Sequence, residues 1–282
     1  MNKIDKRLLH IKWLKTNGIK YYCSLTTKNI STFFEQQGSI MQNTRSHKTS
    51  IITHKNEILN KIFDTSLINN KDNEMDNNGN ISLARKLANE AINLEDLYNK
   101  ISNFEGCDLK QFAKNTVLCD GNPNAKIMLI GEAPGATEDE KGISFCGESG
   151  MLLDMMLNTI GISRKTNAYI TNTIFWRPPA NRKPTYEEIE ICRPFVEKHI
   201  AFINPQLIIL IGATATTALL KQGESITNLR GNIYLYKNQY LNESIKTTAI
   251  FHPAYLLRQP FKKKDTWYDL LKIQDILTKH NI

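Results

Sequence analysis

From Lys126 onward, short apolar runs alternate with stretches of helical period, and this restricts the chain to a parallel sheet flanked by helices. The runs fall at residues 127–130, 168–172, 207–211 and 247–251, and their nearly unbroken apolar character suits strands covered on both faces. Helices are expected over 150–160, 186–203, 214–221 and 266–278. The second has a clear start signal. Thr185 stands three residues before Glu188, so hydroxyl and carboxylate can satisfy each other's orphan backbone amides.

Upstream the pattern weakens. Residues 81–101 carry apolar side chains at helical spacing (Leu83, Leu87, Ala91, Leu94, Leu97, Ile101) and are expected to pack as one helix on the core. Residues 41–80 are rich in Asn, Lys, Ser and Thr, offer little to bury, and read as a flexible polar linker. Residues 1–40 form an N-terminal segment without recognisable chemistry, with short helices expected over 8–14 and within 21–34. The organisation expected is therefore this segment, the linker, and one catalytic domain over 81–282.

Several function classes are excluded. The longest apolar run, at 207–211, is far short of the about 20 residues a membrane helix needs. Basic residues interrupt the start of the chain, leaving no continuous apolar stretch for a signal peptide. Five cysteines without framework spacing fit free thiols, so the expected location is the cytoplasm. Lys and Arg outnumber Asp and Glu 36 to 28, and the resulting +8 favours polyanionic partners without specifying one.

In sheets of this kind ligands sit beyond the carboxyl ends of the strands, and three of those ends carry unusual residues. The first leads into Gly131-Glu132-Ala133-Pro134-Gly135, then Glu138, Asp139, Gly142 and Phe145. Glycines allow close backbone approach to a ligand and carboxylates can position water, although a Gly-Pro turn with a solvated acidic loop would read the same way. No Gly-Lys-Ser/Thr follows, so this is not a nucleotide phosphate loop. The second end offers Asn172, then Arg177-Pro178-Pro179 and Asn181-Arg182. A carboxamide presents donor and acceptor together and can match a pyrimidine edge, or it can simply cap a turn. The last end gives His252-Pro253, followed by Leu256, Leu257 and Arg258. Its imidazole can donate to a developing oxyanion and its leucines can wedge into a base stack.

The motifs GEAPG…ED…G…F, YITN…RPP.NR and FHPAYLLR, with GNPNAK before the first and ITNLRG before the last, occur in the order and approximate spacing of family 4 uracil-DNA glycosylases. The resemblance runs from about Gly106 to Ile273. It implies an α/β fold, a three-layer α/β/α sandwich around a mainly parallel four-stranded sheet. It also implies an enzyme that flips uracil from DNA and hydrolyses its glycosidic bond, working as a monomer. Phe145 would stack on the base, Asn172 would read its edge, and the backbone of Gly131 to Ala133 would line the pocket. His252 would stabilise the departing uracil anion. Arg177, Arg182, Leu256, Leu257 and Arg258 would contact DNA. An aspartate serves water in a related family where Ala133 stands here, which leaves Glu132, Glu138 and Asn181 as candidates.

Cluster-bearing members of the family supply four cysteines to an iron–sulfur cubane. The matching positions here are Phe104, Cys107, Trp176 and Cys192, as in the branch with GC.LK and WRPP, so no cluster and no other cofactor is expected. Two rival readings share the same residues: a uracil-DNA binding or trapping protein with little turnover, and a hydrolase of small nucleosides that would not need the arginines or the wedge.

Overall fold

Four apolar strands running in one direction form the middle of the protein in a computed structural model, which describes residues 70–220 and 223–282. They are β2 (Ile127–Gly131), β3 (Ala168–Asn172), β4 (Leu207–Ile211) and β6 (Ile245–Ile250). Two short antiparallel edges complete the sheet, β1 (Asp120–Gly121) against β3 and β5 (Tyr234–Tyr236) against β6, giving the order β1-β3-β2-β4-β6-β5. Four strands were expected, and among the described residues six form the sheet. Both edge strands are short: one is an Asp-Gly pair, and the other is three residues with Leu235 exposed.

The strands alternate their side chains between two cores, as a pleated backbone requires. Met128, Ile130, Tyr169, Ile208 and Leu210 face one helical layer, made by α1 (Asn70–Glu90), α2 (Leu94–Ser102), α6 (Tyr186–Ile203) and α7 (Ala213–Leu220). Ile127, Leu129, Ile170 and Ile209 face the other, made by α5 (Glu148–Asn158), α9 (Pro253–Arg258) and α10 (Lys263–His280). Short helices α3 (Leu109–Phe112), α4 (Ala136–Lys141) and α8 (Ile226–Leu229) occupy the connections. This is the three-layer α/β/α sandwich. No helix among the described residues is long and apolar enough to cross a membrane.

Most expected elements are shifted by a few residues at their ends, and the larger differences from the sequence pattern lie upstream of the sheet. Helix α1 begins at Asn70, so the last residues of the expected linker are helical, while residues 41–69 and the segment 1–40 lie outside the described residues. The single helix expected over 81–101 is two. Asn93 caps the second by accepting from the Asp96 amide at 2.8 Å, and Asp96 in turn accepts from the Ile92 amide at 3.0 Å, which diverts the backbone out of the first helix. The buried face of α1 is made by Ala84 and Ala88, whereas Leu83 is exposed. Small side chains let α1 lie close against α6.

The expected start of α6 is present in full. The Glu188 amide donates to Thr185 Oγ1 and the Thr185 amide to Glu188 Oε2, at 3.2 and 2.8 Å. Thr185→Ala should cost about 1 kcal/mol, the usual worth of such a cap, read as a lower urea midpoint at unchanged slope.

Candidate active site

Parallel pairing sets Gly131 directly beside Asn172, so the ends of β2 and β3 arrive together at one rim. A Cβ at position 131 would collide with Asn172 Oδ1 and come within 2.5 Å of Phe145 Cζ. Glycine is therefore what lets carboxamide and aromatic ring share the space above β2. Asn172 is 1% exposed, and its Oδ1 has no hydrogen-bond partner within the protein. A buried acceptor left open in this way costs stability unless a ligand supplies the donor. The Phe145 ring lies 5.8 Å from the His252 ring, tilted by 33°. Phe145, Asn172 and His252 thus line a single cleft of about 690 Å³.

His252 is held by its own helix. It caps α9, and its Nδ1 accepts from the Ala254 amide at 3.2 Å. With Nδ1 accepting, the proton of a neutral ring resides on Nε2, which becomes a donor. Burial, assisted by Arg258, pushes the imidazole down to about 4, against a smaller opposing pull from Glu138. Gly212, at a φ of +90°, brings the turn after β4 against the same histidine.

The carboxylates have separate duties. Glu138, on α4, accepts from the Gly147 amide at 2.8 Å and so ties α4 to the loop after Phe145. Its neighbour Asp139 is buried and accepts from the amides of Lys114 and Asn115, a structural role. Glu132 accepts a hydrogen bond from Thr214 Oγ1 at the start of α7. Ala133 lies in the cleft wall with both glutamates. Asn181 adopts a left-handed backbone at the cleft mouth and accepts from Arg177 Nε at 2.7 Å.

The expected DNA contacts divide. Arg258 is exposed at the end of α9 and lines the cleft. Arg182 is exposed too, but its guanidinium is engaged by Glu188 and by the Lys183 carbonyl, so a phosphate would have to compete for it. Leu257 is half-buried. Leu256 is corrected outright: it is 0% exposed within the core under α9, because one helical turn cannot present two adjacent leucines to the same side. Thr214 was missed in the sequence. The signal was its position just past β4, the one parallel strand end whose residues drew no notice.

On the far side of the sheet, Phe104, Cys107, Trp176 and Cys192 are all buried in one core. The rings of Phe104 and Trp176 stack at 6.4 Å and 27°, Phe104 meets Phe195 edge-on at 5.1 Å, and the indole donates to Thr116 Oγ1 at 3.0 Å. The two thiols are hydrogen-bonded to each other, and that contact together with burial keeps Cys192 protonated. Two thiols and two packed aromatic rings do not fit a four-thiolate cluster.

An open, mainly parallel sheet whose strand ends converge on one cleft places the candidate site where ligands bind in α/β proteins. The model of the uracil DNA glycosylase superfamily matches residues 119–272, and the chain belongs to that superfamily. It is 36% identical over 187 residues to the type-4 uracil-DNA glycosylase of Sulfurisphaera tokodaii, covering 65% of this chain and 84% of the relative. The type-4 enzyme of Saccharolobus solfataricus is 37% identical over 195 residues (67% and 89% of the two chains). That of Pyrobaculum aerophilum is 33% identical over 183 residues (64% and 92%).

The depressed histidine gives a signed prediction. The unfolded imidazole binds a proton near pH 6.5 and the folded one only near 4, so His252 contributes stability that is complete above 6.5 and is lost as pH falls towards 4. His199, fully buried and held down to about 3 by that burial, acts in the same sense. Nitrogen-15 NMR of the histidine rings should show both neutral at pH 5.5. A His252 resonance titrating between 6 and 7 would contradict the proton affinity lowered by burial.

Proposed function

We propose that this chain hydrolyses the N-glycosidic bond of uracil flipped out of DNA, leaving an abasic site for base excision repair. Membership of the superfamily and the type-4 relatives support the reaction. The observation that carries the assignment of residues is the open, buried Oδ1 of Asn172 beside the Phe145 ring.

Taking a base from the duplex costs a few kcal/mol, least where it is mispaired. Phe145 repays part of this by stacking on the everted ring. Asn172 Oδ1 accepts from the uracil N3–H. Cytosine has an unprotonated N3 and would set acceptor against acceptor. The backbone from Gly131, beside Asn172, to Ala133 lines the slot, with Glu132 and Ala133 in the cleft wall. As the C1′–N1 bond breaks, charge collects on uracil O2, and the Nε2–H of His252 donates to it more strongly in the transition state than before. The oxocarbenium-like sugar supplies most of the electrophilicity. Glu138 or Asn181 positions the attacking water, both lining the cleft, while Glu132 supports the wall through Thr214.

Arg177, Arg182, Leu257 and Arg258 form the DNA-facing rim. Every proposed group comes from one chain, so a monomer suffices. Free buried thiols are consistent with work in the reducing cytoplasm. We further infer that no iron–sulfur cluster is held, since Phe104 and Trp176 fill the volume that two ligands would need.

A uracil-containing oligonucleotide, treated with alkali after incubation, should be cleaved at the uracil over many turnovers. A trapping protein would stop after one, and a nucleoside hydrolase would act on free deoxyuridine. His252→Ala should lower the single-turnover rate by about 10²- to 10³-fold, the usual loss of one oxyanion donor. Asn172→Ala should reduce uracil excision similarly. If Glu138→Gln and Asn181→Ala both kept near-normal rates, the water assignment would be wrong. Iron analysis of anaerobically purified protein should find no stoichiometric metal.

A further inference from the structure

We propose that Arg164 is a positioning residue for the base slot, fixing the backbone of Phe145 so that its ring meets the everted base; this rests on the reading of Phe145 as the stacking residue. Arg164 lies in the connection between α5 and β3, outside the cleft and outside every motif singled out in the sequence. Its guanidinium nevertheless reaches the slot from behind. Nη1 donates to the Ser144 carbonyl at 3.0 Å and to Asp120 of β1 at 2.7 Å, and Nη2 donates to the Phe145 carbonyl at 2.9 Å. Asp154 of α5 anchors the group from its other edge, accepting from Nε at 3.0 Å. The side chain is 14% exposed, so these bonds act with little competition from water.

What the clamp holds is unusual. Phe145 has φ of +52°, in the left-handed region that a residue with a Cβ adopts only under constraint. The turn aims the ring towards Gly131 and His252 while its carbonyl points back to the first turn of α5. There Gly150 leaves room: a Cβ at 150 would fall on the Phe145 carbonyl oxygen and carbon. Steric fit opens the place for the carbonyl, and Arg164 Nη2 donates to it while Nη1 holds the carbonyl before it. The planar fork matters. A lysine would keep the charge between Asp120 and Asp154 but cannot bond two carbonyls and two carboxylates at once. The short strand β1 gains a purpose by the same account, since it carries Asp120 to the guanidinium.

The test is a double-mutant cycle on single-turnover uracil excision with the full chain. Arg164→Lys should slow the reaction roughly 10- to 100-fold, the scale of a small misplacement at the reacting base. Affinity for a uracil-free duplex should stay within about twofold, because the rim arginines are untouched. In a Phe145→Ala background the same substitution should change the rate by less than about twofold, because no ring remains to be aimed. A general structural role would instead give equal losses in both backgrounds, and that result, or a wild-type rate for Arg164→Lys, overturns the proposal. If Arg164→Lys does not fold, Asp154→Asn loosens the anchor, carries the same cycle and is judged by the same two outcomes. A harmless Phe145→Ala would sink the stacking reading itself, whereas a crippling Phe145→Ala beside a harmless Arg164→Lys would sink only the clamp.

Discussion

Three groups compete for the space above the end of β2, and the missing side chain of Gly131 lets them share it. The Asn172 carboxamide arrives from the adjacent strand in register, and the Phe145 ring comes from the loop beyond α4. His252 closes the third side from the end of β6. Because protein interiors are packed to the density of organic crystals, a single methyl group here would displace either the Asn172 carboxamide or the Phe145 ring. The surrounding architecture serves this approach: parallel strands end level with one another, and the loops that follow them carry the polar groups.

Electrostatics follow from the same burial. An imidazole set among apolar neighbours stays neutral, and the Ala254 amide decides which nitrogen keeps the proton. A carboxamide oxygen without a partner waits for a donor. Neither group carries net charge, which suits a site that must receive a neutral base and then stabilise the anion it becomes on departure. Formal charges are kept elsewhere. Glu138 and Glu132 are tied into the cleft wall by hydrogen bonds, and the arginines stand at the rim or, as Arg164, behind the slot.

The side of the sheet remote from the slot follows another logic. Phe104 and Trp176 stack where the wider family is expected to supply thiolates, and the remaining two cysteines meet each other in the interior. Apolar packing can take over the structural work of cross-linking these segments, since aromatic pairs contribute both buried area and a preferred geometry. The aromatic pair and the Phe145 ring pack on opposite sides of the sheet: Phe104 and Trp176 belong to one core and Phe145 to the other.

The four parallel strands, the span of α6 with its Thr185–Glu188 cap, and the ordered motifs at three strand ends could be read from residue type and spacing alone. Hydrophobic period and capping chemistry are local, and they survive intact into the fold. Asn172 and His252 stand out in the sequence by their places at strand ends, whereas the role of Phe145 is implied by the resemblance to family 4 uracil-DNA glycosylases. That these loops meet at one rim is expected from the sheet type; how closely they approach depends on strand register and on a glycine's empty side. Tertiary packing also decided which of two adjacent leucines is core: Leu256 points inward only because α9 lies on Leu153 and its neighbours. The edge strands β1 and β5, the break at Asn93, the partner of Arg182 and the reach of Arg164 arise from contacts between segments distant in sequence. A one-dimensional pattern records what a residue prefers; only the packed chain fixes what it meets.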